Sequence, residues 1–128
     1  MVVWTHVIAA WMYATRLPAM KRARLKPDPE AKRGDQMSTL PARVRWKADN
    51  YNNLLEQPTL FYAIVIVLAL LGQNTAFNIG VAWAYVGLRV AHSLVQVLVN
   101  KIELRFSLFV LSALVLVVLT ARAVGAVI

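Results

Sequence analysis

The sequence predicts an all-α integral membrane protein, a four-helix bundle forming one membrane domain over residues 1–128. Three observations lead there. Apolar residues make up 59% of the chain and charged residues 16%, against roughly 45–50% and about 25% in soluble domains. The apolar residues gather in long runs separated by one strongly basic segment, and a helix needs roughly 20 of them to cross the hydrocarbon core. The later runs are joined by short connections, which make sequential helices antiparallel neighbours. This pattern excludes disorder and a nucleic-acid-binding domain as the main reading. The absence of cysteine excludes disulfides, thiolate metal sites and a cysteine nucleophile. With two histidines and six carboxylates, no metal site is predicted.

The first span covers about residues 1–17. It is apolar apart from Thr5 and His6 until Arg16 interrupts it, which is short for a span. A basic loop follows over about 18–49. From Arg16 to Asp49 the chain carries ten of its fourteen Lys and Arg residues, and Pro27, Pro29 and Gly34 mark an irregular stretch. Ser38 or Thr39 is placed to cap the next helix, with Pro41 in its first turn. That helix projects from the membrane before entering it, and Pro41 to Leu71 is about 46 Å of helix at 1.5 Å per residue. The second span covers about 53–71, through LLEQPTLFYAIVIVLALL. The third covers about 77–99 and contains Arg89, His92 and Gln96; the fourth covers about 106–124. Gly72–Asn78 and Asn100–Arg105 are the two tight loops.

Orientation follows from the basic residues. Loop one is rich in them, loop three carries Lys101 and Arg105, and loop two carries no charge. By the positive-inside rule loops one and three face the cytoplasm, and both termini lie on the opposite side. The net charge of +8 is thus topology and contact with anionic membrane lipids, not a nucleic-acid surface.

Helix three carries two stripes. At 100° per residue, Gly80, Ala84, Gly87 and Ala91 fall on one face, and Arg89, His92, Ser93, Gln96 and Asn100 on the other. The small stripe admits a close helix neighbour. The polar stripe cannot face lipid, and Arg89 in mid-span marks a functional site that needs an anionic partner. Asp49, Asn53 and Glu56, spaced i, i+4, i+7 on helix two, share a face and supply one. Glu56–Arg89 is the expected pair. It either fixes helix register or belongs to a ligand site, and the further polar groups favour the site. His6 and the four tryptophans are read as packing or interfacial residues.

Two stretches carry a resemblance. Asn53-x-x-Glu56 followed by Pro58, entering an apolar helix, resembles the helix-two motif of the MAPEG family, the membrane-associated proteins in eicosanoid and glutathione metabolism. LRVAHSLVQVL, Leu88 to Leu98, looks like the helix-three region of its prostaglandin E synthase branch. The run NNLLEQPTLFYA looks most like the short bacterial members. The resemblance implies a homotrimer in a bacterial inner membrane, sites between subunits near the cytoplasmic side, and glutathione as co-substrate. It implies ligand-binding roles for Asn53, Glu56, Arg89, His92 and Gln96, and a catalytic one for Arg105. Two departures stand out: Asp49 replaces a common arginine four residues before the asparagine, and Gln96 replaces a tyrosine that often contacts glutathione.

Such a site works by favouring a thiolate. A thiol of reference pKa about 8.5 is mostly protonated at neutral pH, and a nearby guanidinium shifts it towards the nucleophilic form. Arg105 is the residue expected in that role, with Arg89 holding a carboxylate. The electrophile would be a lipophilic small molecule entering from the bilayer. The expected function is a glutathione-dependent transferase or peroxidase. The alternative is a non-catalytic lipid-binding or accessory subunit that keeps the fold.

Overall fold

The computed structural model describes residues 1–26, 28–32 and 34–128; Pro27, one of the loop markers above, lies outside the described residues. It contains α1 (Val2–Arg22), α2 (Asp35–Ser38), α3 (Ala42–Leu70), α4 (Ala76–Leu98) and α5 (Ile102–Val127). No strand occurs among the described residues. Helices α3, α4 and α5 are long and apolar enough to cross a membrane. The 21-residue α1 has the length, but with Thr5, His6, Arg16 and Pro18 along it, it is not apolar enough to join that group.

Local chemistry sets the helix ends. α1 runs through Pro18 to Arg22, beyond its predicted end at 17. α3 starts behind Pro41, and neither Ser38 nor Thr39 caps it. Their hydroxyls instead donate back into the preceding turn, to Asp35 O at 2.6 Å and Gln36 O at 2.7 Å. α3 stops in a Schellman turn: Gly72, at φ 68°, sends its N–H to Ala69 O, and Gln73 N–H reaches Leu68 O at 2.8 Å. Thr75 caps α4, its hydroxyl oxygen accepting from Asn78 N–H at 3.2 Å. α5 begins at Ile102, four residues earlier than the predicted 106. Asn100 is the reason. It sits at φ 55°, its N–H returns to Val95 O at 2.7 Å, and the chain reverses within three residues. Asparagine tolerates this left-handed conformation. Arg105 therefore lies in the first turn of a helix and not in a loop.

α4 packs along α5, α1 along α3, and α3 touches both α4 and α5. Two apolar clusters hold the helices. One gathers Phe61, Leu68, Tyr85, Leu116, Leu119 and Ala123, with the Phe61 and Tyr85 rings stacked at 4.4 Å. The other joins Ile8, Leu54 and Val97. Along α4, a polar layer lies between Tyr85 of the first cluster and Val97 of the second. The outer surface is rich in exposed Leu, Ile, Val and Phe, which a bilayer would cover.

Candidate functional site

The polar stripe of α4 turns inward. Arg89, His92, Ser93 and Gln96 are all buried, and Arg89 is only 1% exposed. The small stripe stays open: Gly80, Ala84 and Gly87 are exposed, and a Cβ added at either glycine would meet nothing within 4 Å.

Arg89 is anchored to backbone. Its Nη2 donates to Asn53 O at 2.8 Å. Pro58, inside α3, has no N–H to give the Leu54 carbonyl, which loosens the turn that follows Asn53. The guanidinium carbon lies 5.7 Å from the centre of the Phe109 ring, a cation–π contact. Nε and Nη1 have no hydrogen-bond partner among the described residues.

The expected Glu56–Arg89 pair is not formed. Glu56 and Asp49 are exposed, and no Lys or Arg nitrogen lies within 4.0 Å of a carboxylate oxygen among the described residues. The inward face of α3 runs through Lys47, Asn50, Leu54, Pro58 and Phe61. Glu56 is about 120° round the helix from Asn50 at 3.6 residues per turn, so its carboxylate leaves the interior.

The other expected residues divide. Asn53 joins the cluster, its Nδ2 donating to Gln96 Oε1 at 3.0 Å. His92 packs with its ring centre 6.2 Å from that of Phe109. Arg105 is half-buried one turn before Phe109; its Nη1 donates to Asn100 Oδ1, and its Nε has no partner. His6 is exposed.

Two residues of the network, Trp4 and Asn50, have no site role in the sequence pattern. Ser93 Oγ accepts from Trp4 Nε1 at 2.9 Å and from Asn50 Nδ2 at 2.7 Å. The sequence marks Trp4 for packing or an interface, and its charge pattern singles out Asp49 rather than Asn50 beside it. The inward apolar series Leu54–Phe61–Leu68 is the signal that would have selected Asn50, four residues before Leu54.

Chemically, the cluster offers donors in excess. Arg89 Nε and Nη1 and Gln96 Nε2 are buried without acceptors, and an unsatisfied buried group costs about 1–3 kcal/mol. Anionic oxygens are the acceptors that fit. The larger depressions lie elsewhere. One of about 430 Å³ opens between α1, α2 and α3, and one of about 600 Å³ between the C-terminal half of α1 and the start of α3. Neither is lined by Arg89 or Arg105.

A family model described as the MAPEG family matches residues 1–125 of the chain. No curated protein and no solved structure matches it.

Proposed function

The chain belongs to the MAPEG family, and from that premise we propose that it is a glutathione-dependent transferase or peroxidase acting on lipophilic electrophiles. Membership and three apolar helices make it an integral membrane protein. The observation that carries the reading is the set of unpartnered buried donors on Arg89 and Gln96. Arg89 would hold a carboxylate of the tripeptide, with Gln96 and Asn53 adding hydrogen bonds and His92 flanking them. Bound glutathione supplies the thiol that attacks an electrophile or reduces a hydroperoxide. Arg105, with an unpartnered Nε, is the cation assigned to favour the thiolate. Glu56 faces outward, and a ligand role for it rests on a neighbouring subunit completing the site. The open Gly80–Ala84–Gly87 face of α4 suits that packing, in the homotrimer that the family suggests. The setting proposed is a bacterial inner membrane, with loops one and three cytoplasmic and both termini opposite.

One observation favours the second reading, a non-catalytic lipid-binding or accessory subunit. Arg89 is almost wholly enclosed, and the two depressions above do not reach it. A calorimetric titration of the detergent-purified protein with glutathione separates the two. Saturable binding that disappears in Arg89→Ala supports the glutathione-dependent enzyme. Silence from an intact assembly assigns the chain to the second reading.

A further inference from the structure

Asn100 ends the polar stripe of α4 and has no part in the site above. It lies half-buried in the turn between α4 and α5, at φ 55°, with its N–H returned to Val95 O at 2.7 Å. Glycine takes that left-handed backbone at no steric cost and is the usual residue at such a helix end. Asparagine is tolerated there, so the presence of a side chain calls for a reason. The carboxamide supplies one. Asn100 Oδ1 accepts from Arg105 Nη1, five residues on in the first turn of α5.

Arg105 gains nothing from the helix it starts. The first turn of a helix carries partial positive charge and disfavours a cation. No carboxylate oxygen lies within 4.0 Å of it among the described residues. Lys101 and Glu103 flank it from exposed positions. Its hydrogen bond goes to a neutral acceptor, which fixes the guanidinium and leaves its charge uncancelled. The groups that face the same region from α4 are Arg89 and His92, and His92 is in electrostatic reach of both guanidiniums. From α3, Asp49 and Glu56 are exposed. Lys47 is turned away, its Nζ donating to Arg43 O at 2.8 Å and lying 5.2 Å from the centre of the Trp11 ring.

We propose that Asn100 is a positioning residue, whose neutral carboxamide holds the Arg105 guanidinium beside the thiol of bound glutathione without cancelling its charge. The inference rests on the glutathione reading and adds to it the residue that sets the cation. The thiol releases its proton to solvent, and the guanidinium holds the anion that remains. A carboxylate in place of the amide would hold the guanidinium equally well and neutralise it. A residue without an acceptor would leave the long arginine side chain free to turn away. Asn100 itself does not touch the ligand and acts through Arg105.

The ultraviolet absorbance of the thiolate tests this. It is followed against pH for glutathione bound to the detergent-purified protein, with the ligand-free protein subtracted, so it reports the thiol and not His92. In the native protein the thiol is expected about one unit or more below its reference pKa of about 8.5. Asn100→Gly keeps the left-handed backbone and removes the amide, and should raise the thiol pKa by about half a unit or more. Glutathione affinity at a pH where the thiol is protonated should stay within about twofold, because Arg89 and Gln96 carry it. Asn100→Asp keeps the acceptor, adds a charge, and should raise the thiol pKa as well. In Arg105→Met the thiol is already raised, and adding Asn100→Gly should move it no further. Circular dichroism should show native helicity in each variant. A thiol pKa unmoved in Asn100→Gly or in Asn100→Asp overturns the proposal, as does an effect of Asn100→Gly that persists without Arg105. Bound glutathione with an unshifted thiol in the native protein overturns it and leaves the ligand site in place. Absence of glutathione binding overturns the glutathione reading and this inference together.

Discussion

Ser93 holds two elements together through one oxygen. It accepts from Trp4 of α1 and Asn50 of α3, and it is fully buried. Ser93→Ala strands both donors, and the expected loss of stability is about 1–3 kcal/mol, read from thermal unfolding in detergent. Ser107→Ala is the control. That exposed hydroxyl only returns to Glu103 O, so the change should stay within about 0.5 kcal/mol. Arg89 presents the opposite case. It makes one side-chain hydrogen bond and leaves two nitrogens unsatisfied in the interior. A buried charge without its counter-ion is held at a cost, and an apolar residue of similar volume is often neutral or better. Arg89→Met is therefore expected to keep or raise the unfolding temperature while abolishing glutathione binding. A fall in stability of more than about 2 kcal/mol would instead give Arg89 the register-fixing role.

Among the helices, α4 was the most readable from sequence. Its polar and small residues separate cleanly at 100° per residue, and the structure buries Arg89, His92, Ser93 and Gln96 and leaves Gly80, Ala84 and Gly87 open, while Asn100 and Ala91 are half-buried. α3 was less so, because its N-terminal half carries polar residues on two arcs. Asp49 and Glu56 mark one, Lys47 and Asn50 the other. Charge suggested the first arc, and packing selected the second, since only that one continues into Leu54 and Phe61. The start of α5 was hidden in the backbone of Asn100, whose left-handed conformation shortens the turn. Arg105 thus became a helical residue, and its approach to the cluster depends on a helix axis that no sequence pattern specifies. The glycines divide in the same way. Gly72 sits at φ 68°, so Gly72→Ala should cost about 1 kcal/mol although its surroundings are empty. Gly80→Ala meets no obstacle and should stabilise the isolated protomer by roughly 0.5–1 kcal/mol through helix propensity. Gly87→Leu fills the open face with a bulky group. If that face packs against a second subunit, the variant should lower the oligomer mass measured by light scattering and leave helicity intact.

Across the molecule, charge and apolarity are segregated along the membrane normal. The described basic residues between Arg16 and Asp49 lie at one end, where α1 finishes and α3 begins, and Lys101 and Arg105, beside the turn between α4 and α5, join that end. The opposite end holds the uncharged turn between α3 and α4, the start of α1 and the end of α5. Arg122 is the cation nearest that end. It is bound into the fold, donating from Nε to Asn78 Oδ1 at 3.2 Å and lying over the Phe77 ring. It is a single cation against the many of loop one, so Arg122 does not offset the basic loop. The expected topology can be tested directly because the chain contains no cysteine. Ala31→Cys places one thiol in the basic loop, and Asn74→Cys places one in the uncharged turn, where the native side chain is exposed. With a membrane-impermeant maleimide applied to spheroplasts, Asn74→Cys should be labelled at once. Ala31→Cys should be labelled only after the membrane is permeabilised. The reverse pattern would invert the protein and place the basic loop on the outer side. Labelling of both from outside would mean that α3 does not cross. The first outcome alone puts Arg105 on the cytoplasmic side.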